Sequence, residues 1–223
     1  MPGTLALVGG AEWRAGCDFD RDLLALSGGA EVLLLPTAAA YEHPERSVEA
    51  AVRWFEELGA TVQPLRVLTR ADALDPANAA PFESARFTYL ADGSPMHLRS
   101  VLKDSPVWDA LLAGWLGGAV LAASGSSGMA LCDPMVDPRG GALTLGLGAI
   151  TSMAVIPHHN TWSEDKEKRT LKIAPKGLPI VGIDERAALL RSSDGSWSVS
   201  GAGDVTVFVD GQITGLEALP SAD

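Results

Sequence analysis

The sequence predicts a single α/β domain over residues 1–223: one doubly wound, mostly parallel sheet flanked by helices, with mixed or antiparallel strands added at the C-terminal end. Three observations predict it. Short apolar runs recur up to residue 124, helical patterns separate them, and after residue 140 the texture changes to short strand-like pieces with hairpin signals. Nearly continuous apolarity over a short run suits a strand covered on both faces, and strand–helix alternation suits a parallel sheet. With 223 residues, 47% of them hydrophobic, the chain is long enough for one large core.

The predicted strands are TLALVGG (4–10), EVLLLPTA (31–38), TVQPLRVL (61–68), RFTYLAD (86–92) and AVLAAS (119–124). Between the second and third, PERSVEAAVRWFEELGA places Val48, Ala51, Val52, Phe55 and Leu58 on one helical stripe that ends at Gly59. SPMHLRSVLKDSPVWDALLAGWLGG reads as one helix or two, with Pro106 at a break or restart. Trp108 and Trp115 share a face of it and read as core. Beyond residue 140 come AVIPHH, PIVGIDE, AALLRSS, SWSVSG and DVTVFVDG, with a helix at about 164–174 between the first two. Asp194-Gly195 and Asp210-Gly211 mark hairpin turns, and these strands are expected to extend the same sheet.

The net charge of -11 argues against a phosphate-backbone partner, which needs a concentrated basic face. MPGTLALVGG has no basic segment ahead of its short apolar run, and no apolar stretch reaches membrane-spanning length. Two distant cysteines, Cys17 and Cys132, with no CxxC pairing, fit a reduced, cytoplasmic protein. GSSGMALCD lacks the Lys-Ser/Thr of a phosphate loop, and GLGAITS (146–152) only loosely resembles a dinucleotide fingerprint, so no cofactor and no metal is expected. The oligomeric state stays open, a homodimer among the options.

The chemistry centres on AVLAASGSSGMALCDPM, residues 119–135. A strand entering a helix through a tight small-residue turn exposes the turn's side chain above the sheet, beside backbone N–H groups. In S-G-S-S-G, Ser126 takes the nucleophile position of G-x-S-x-G and Ser124 replaces the first glycine; a plain Gly/Ser loop is the competing reading. His158 and His159 end an apolar strand at the edge where an α/β site lies, whereas His43 and His97 read as cap, surface or packing residues. Adjacent side chains on an extended segment point oppositely, so one of the pair faces Ser126, and two consecutive positions make a poor metal pair. For the carboxylate that orients the base, Asp184, Glu185, Asp133 and Asp137 remain unranked on these grounds.

The ordered segments VGG, VLLLPTA, LADGSPMHL, SGSSGMAL, VIPHH and VGIDERAAL resemble, over nearly the whole chain, the peptidase E and cyanophycinase family of serine peptidases. That resemblance implies a class I glutamine-amidotransferase-like fold with serine in the elbow, and hydrolysis of a small, aspartyl peptide through an acyl-enzyme. Residue by residue it implies Ser126 as nucleophile, His158 as base and Glu185 as the orienting acid. By the same analogy the N–H groups of Gly93 and Ser127 form the oxyanion hole, each donor worth about 3–4 kcal/mol. The family's glycine-rich loop is here Ala91-Asp92-Gly93, which sets a charge near that site, and His159 replaces a phenylalanine that would wall the substrate. An aspartyl substrate calls for a cation, for which Arg169 is a candidate. A catalytically silent member that binds a small ligand or partner, and an esterase, are the rival readings.

Overall fold

A computed structural model describes residues 1–220. The apolar runs form β1 (Leu5–Val8), β2 (Glu31–Leu35), β3 (Thr61–Pro64), β4 (Phe87–Leu90) and β5 (Val120–Ser124), all parallel. Helices α1 (Phe19–Ser27), α2 (Pro44–Glu57), α3 (Arg70–Leu74), α4 (Pro95–Leu102) and α5 (Pro106–Leu116) connect them, and α6 (Ser126–Leu131) follows β5. The alternation of strand side chains divides the core. Leu5, Leu7, Leu33, Leu35 and Leu121 face the cluster built with α3 to α6, whereas Ala6, Val8, Val32, Leu34 and Tyr89 face α1 and α2. The sheet is therefore covered on both sides, as continuous apolar strands require. β3 differs from the expectation: it lies at the sheet edge, is largely exposed and is short, Pro64 sitting where a missing N–H faces the open edge while the Leu65 N–H still donates to Leu34 O at 2.8 Å.

Pro106 does restart a helix. Ser105, almost fully buried, accepts the Trp108 N–H on its Oγ at 3.1 Å and donates to Leu102 O at 2.7 Å, so one hydroxyl closes α4 and opens α5. Trp108 and Trp115 are buried, as their spacing predicts. In α2, Ala51 and Phe55 are fully buried and Val48 and Leu58 pack beside them.

The C-terminal strands divide between two sheets instead of extending one. β10 (Ala187–Arg191) and β11 (Trp197–Gly201) join the main sheet antiparallel beside β1, giving the order β11-β10-β1-β5-β4-β2-β3. A short hairpin of β6 (Met135–Val136) and β7 (Leu143–Thr144) precedes a second, four-stranded sheet. That sheet holds β8 (Ala154–Ile156), β9 (Ile180–Ile183), β12 (Val205–Val209) and β13 (Gln212–Thr214) in the order β13-β12-β9-β8, with α7 (Glu164–Ile173) crossing between β8 and β9. The two Asp-Gly pairs turn the β10–β11 and β12–β13 hairpins. No helix among the described residues is long and apolar enough to cross a membrane.

Candidate active site

The carboxyl ends of β1, β4 and β5, and the segments after β8 and β9, meet at one place. β5 ends in register with β1 at Ser124 opposite Val8, and the Gly125 N–H closes the pairing on Val8 O at 2.8 Å. The chain then reverses at Gly125, whose φ of 53° and ψ of -126° suit glycine, and α6 begins at Ser126. The apex of the strand–turn–helix is thus Gly125; Ser126, expected there, is the first helical residue.

Asp92 occupies the centre of the site. Its Oδ1 accepts the Gly93 N–H at 2.7 Å and the Ser126 N–H at 2.8 Å, and its Oδ2 lies 2.7 Å from His158 Nε2. A Cβ placed on Gly125 would fall inside this carboxylate. The donors that converge are therefore those of Gly93 and Ser126, not Ser127. Ser127 is buried and its Oγ donates to Ala91 O at 2.6 Å, which ties α6 to the end of β4.

His158 is held from every side. Its backbone is left-handed, with φ of 49°, and its N–H donates to Gly9 O at 2.6 Å. The ring lies against Gly10, where a Cβ would collide with it, so glycine is required at that approach. Nδ1 lies 3.1 Å from Glu185 Oε1 while Nε2 faces Asp92. The Asn160 side-chain oxygen accepts the Glu185 N–H at 3.0 Å and fixes the acid in turn. The hydrogen bond that the ring donates to Asp92 and, after it, the Glu185 carboxylate hold the imidazolium so well that the His158 pKa rises to about 9 in spite of burial.

The four acids left unranked by sequence are separated by the fold. Glu185 turns to His158, whereas the preceding Asp184 turns to His159, whose Nδ1 lies 3.5 Å away. His159 also meets Glu167 at 2.6 Å and stacks edge-on against Phe208, so it packs the second sheet and does not wall the cleft. Asp137 is clamped by Arg139, which holds its pKa down to about 2, and Asp133 lies beyond α6. Arg169 is an exposed partner of Asp165 at 3.0 Å on α7, away from the cleft. His43 pairs with Glu45 in solvent and His97 bonds Leu68 O, and neither lines the cleft.

Sequence reasoning missed Glu12. Its Oε1 accepts the Asp92 N–H at 3.1 Å and its Oε2 accepts the Ser124 hydroxyl at 2.8 Å, so one carboxylate braces the ends of β4 and β5. Burial and, secondarily, the Asp92 charge raise its pKa. Position 124, where a glycine was expected, is thus an anchor for Glu12. The only sequence signal was an acid two residues after a glycine-ended strand, which is common at turns.

A cleft of about 590 Å³ opens over Asp92, Gly93, Ser126, His158 and Glu185, with Arg14 and Arg46 on its wall. A second hollow of about 500 Å³ shares Ser126 and His158 and continues to Trp162 and Lys166, whose ammonium lies 3.6 Å from the Trp162 ring centre. An elongated ligand laid across both passes the imidazole. Among the described residues no cluster of three or more His, Cys, Asp or Glu is placed to hold a metal.

The fold brings two convergent N–H donors, an imidazole and a carboxylate together at the carboxyl edge of a parallel sheet, where α/β folds place their sites. No family model matches the chain. It is 27% identical over 224 residues to the cyanophycinase of Trichormus variabilis, covering 95% of this chain and 75% of that one. It is 26% identical over 223 residues to the cyanophycinase of Synechococcus elongatus, covering 92% and 67%. A peptidase structure from an acI-B1 Actinobacterium matches with a TM-score of 0.83 and 28% identity, covering 100% of this chain and 93% of that one. A peptidase E-type structure from Listeria monocytogenes shares the fold, with a TM-score of 0.71, 16% identity, and coverage of 91% and 100%. Over nearly its whole length the chain is thus similar to cyanophycinases and to peptidase E-type structures.

Proposed function

We propose that the protein hydrolyses an amide bond in small peptides laid across the double cleft. His158 is the acid–base group, Glu185 orients it, and the N–H groups of Gly93 and Ser126 receive the carbonyl oxygen. The observation that carries this reading is His158, pinned between Glu185 and the carboxylate that fills the two-donor cradle. The likeness to cyanophycinases and to a solved peptidase supports the same chemistry.

In this mechanism the substrate carbonyl displaces Asp92 Oδ1 from the two N–H groups, which stabilise the negative charge as the carbonyl carbon becomes tetrahedral. The same displacement uncovers His158 Nε2, the atom that takes the proton from the attacking group and returns it to the leaving amine. Glu185 keeps the proton on Nδ1 and steadies the imidazolium. The cations that suit an aspartyl side chain are Arg14 and Arg46 on the cleft wall.

A panel of Asp-X dipeptides, β-aspartyl-arginine peptides and simple esters tests the reading. Turnover is expected to fall by orders of magnitude in His158→Ala and Glu185→Gln. Unchanged turnover in either variant overturns the assignment.

Two other readings each have one observation. Ser126 lines both hollows with His158, which favours it as the nucleophile of an acyl-enzyme. Asp92 occupies both the cradle and Nε2, which favours a silent, ligand-binding member. A serine-directed fluorophosphonate separates them: adduct formation lost in Ser126→Ala supports the first, and a well-folded protein with neither adduct nor turnover supports the second.

A further inference from the structure

We infer that the attacking group is a water molecule seated over Gly125, in the place of the Asp92 carboxylate, and that the amide opens by direct hydrolysis without an acyl-enzyme. This deepens the proposed hydrolase reading and rests on it.

The placement of the turn is the first ground. In a strand–turn–helix elbow the nucleophile stands at the strained apex, and the N–H of the next residue serves the oxyanion. Here the strained backbone belongs to Gly125, and the next residue, Ser126, supplies its N–H to the cradle. The apex thus carries no side chain. Ser126 stands in the donor's position, and both ring nitrogens of His158 are engaged by carboxylates.

The second ground is what Asp92 does. Its carboxylate reaches from the two N–H donors to His158 Nε2, and it fills the space a side chain at 125 would need. One oxygen stands where a substrate carbonyl oxygen is received, and the other stands 2.7 Å from the base. A bound carbonyl and a water reproduce those two oxygen positions. The Asp92 side chain is 24% exposed, so it has an open side through which to withdraw.

The step balances without a further reactant. The water oxygen bonds to the carbonyl carbon as its O–H proton passes to His158 Nε2. The tetrahedral intermediate then collapses, the C–N bond breaks, and the imidazolium protonates the departing nitrogen, leaving a carboxylic acid and an amine. The withdrawal of Asp92 also removes the largest cause of the raised His158 pKa, so on ligand binding the imidazolium gives up its Nε2 proton to solvent and the neutral ring is free to take the proton of the attacking water. Binding and oxyanion donors alone sustain about 10³- to 10⁴-fold acceleration over water in enzymes stripped of a serine nucleophile.

The test follows hydrolysis of a chromogenic aspartyl anilide by the whole protein, with acid-quenched samples weighed intact during turnover. Turnover with no acyl mass and no initial burst is expected. The variant Gly125→Ser combined with Asp92→Ala is expected to gain one fluorophosphonate adduct at position 125, its folding checked by circular dichroism. An acyl or fluorophosphonate adduct on Ser126 of the unaltered protein overturns the inference and leaves the hydrolase reading standing. Absence of turnover across the peptide and ester panel overturns the hydrolase reading itself, and this inference with it. A folded double variant that takes no adduct at 125 overturns the assignment of the apex.

Discussion

Asp92 and His158 form the contact on which the site's electrostatics turn. The sequence indicated a charge near this place but not where its carboxylate points, because a side chain's direction at a loop end is not a local property. The contact makes a direct prediction. Followed by NMR, the His158 ring is expected to titrate near pH 9, and Asp92→Asn is expected to lower that midpoint, since Asp92 is the largest cause of the shift. An unchanged midpoint would show that Asp92 does not face the ring. His158, Glu185 and Gly93 were legible as residues, because motif order named them, and the fold brings all three together. Ser127, His159 and Arg169 were misplaced: each has a partner outside the cleft that only the folded chain supplies, in Ala91 O, Asp184 with Glu167, and Asp165.

At the scale of elements, the parallel strands and the helices between them were readable because their patterns are local. Ser105 shows how local the reading can be: Ser-Pro after a polar break is a helix start in sequence and in structure. Ser105→Ala is expected to cost about 1 kcal/mol in urea unfolding, and somewhat more if Leu102 O is also left unpaired in the interior. The division of the C-terminal strands was not readable. Every one of them is short, and nothing in IVGI says that its neighbours are β8 and β12 while those of AALLR are β1 and β11. Strand partners are chosen across tens of residues by the packing of whole faces, which no window of sequence contains.

At the scale of the whole molecule, the pH dependence of stability follows from three perturbed groups with one sign. Asp20 is fully buried, with Trp54 Nε1–H on one oxygen at 2.9 Å, and burial raises its pKa well above the ordinary carboxylate value. Glu12 is raised for the same reason. Each acid keeps its proton in the folded state over a range where the unfolded chain has lost it, so stability falls as pH rises from the unfolded carboxylate values. His158 adds to the trend: folded, it stays protonated to about pH 9, so its contribution is complete below about pH 6.5 and is lost between there and 9. Urea midpoints are therefore expected to decline steadily from pH 5 to pH 9, and Asp20→Asn is expected to flatten the acid part of the curve. A midpoint that rises over this range would contradict the burial of these groups.

The sequence by itself determined the doubly wound architecture, many of the helix starts and stops and the two hairpin turns, and its motif order pointed to the meeting of His158 with Glu185. These depend on side-chain periodicity, on backbone-restricted residues and on motif order, all of which are written along the chain. Tertiary structure alone decided the residue at the apex of the elbow. S-G-S-S-G admits a turn at either of two neighbouring positions, since glycine permits the strained backbone and serine can begin the helix. The choice is made where β5 stops pairing with β1, at Ser124 opposite Val8, and by the Glu12 carboxylate that grips Ser124. That places glycine at the apex, brings the Asp92 carboxylate into the space above it, and leaves Ser126 to give its N–H.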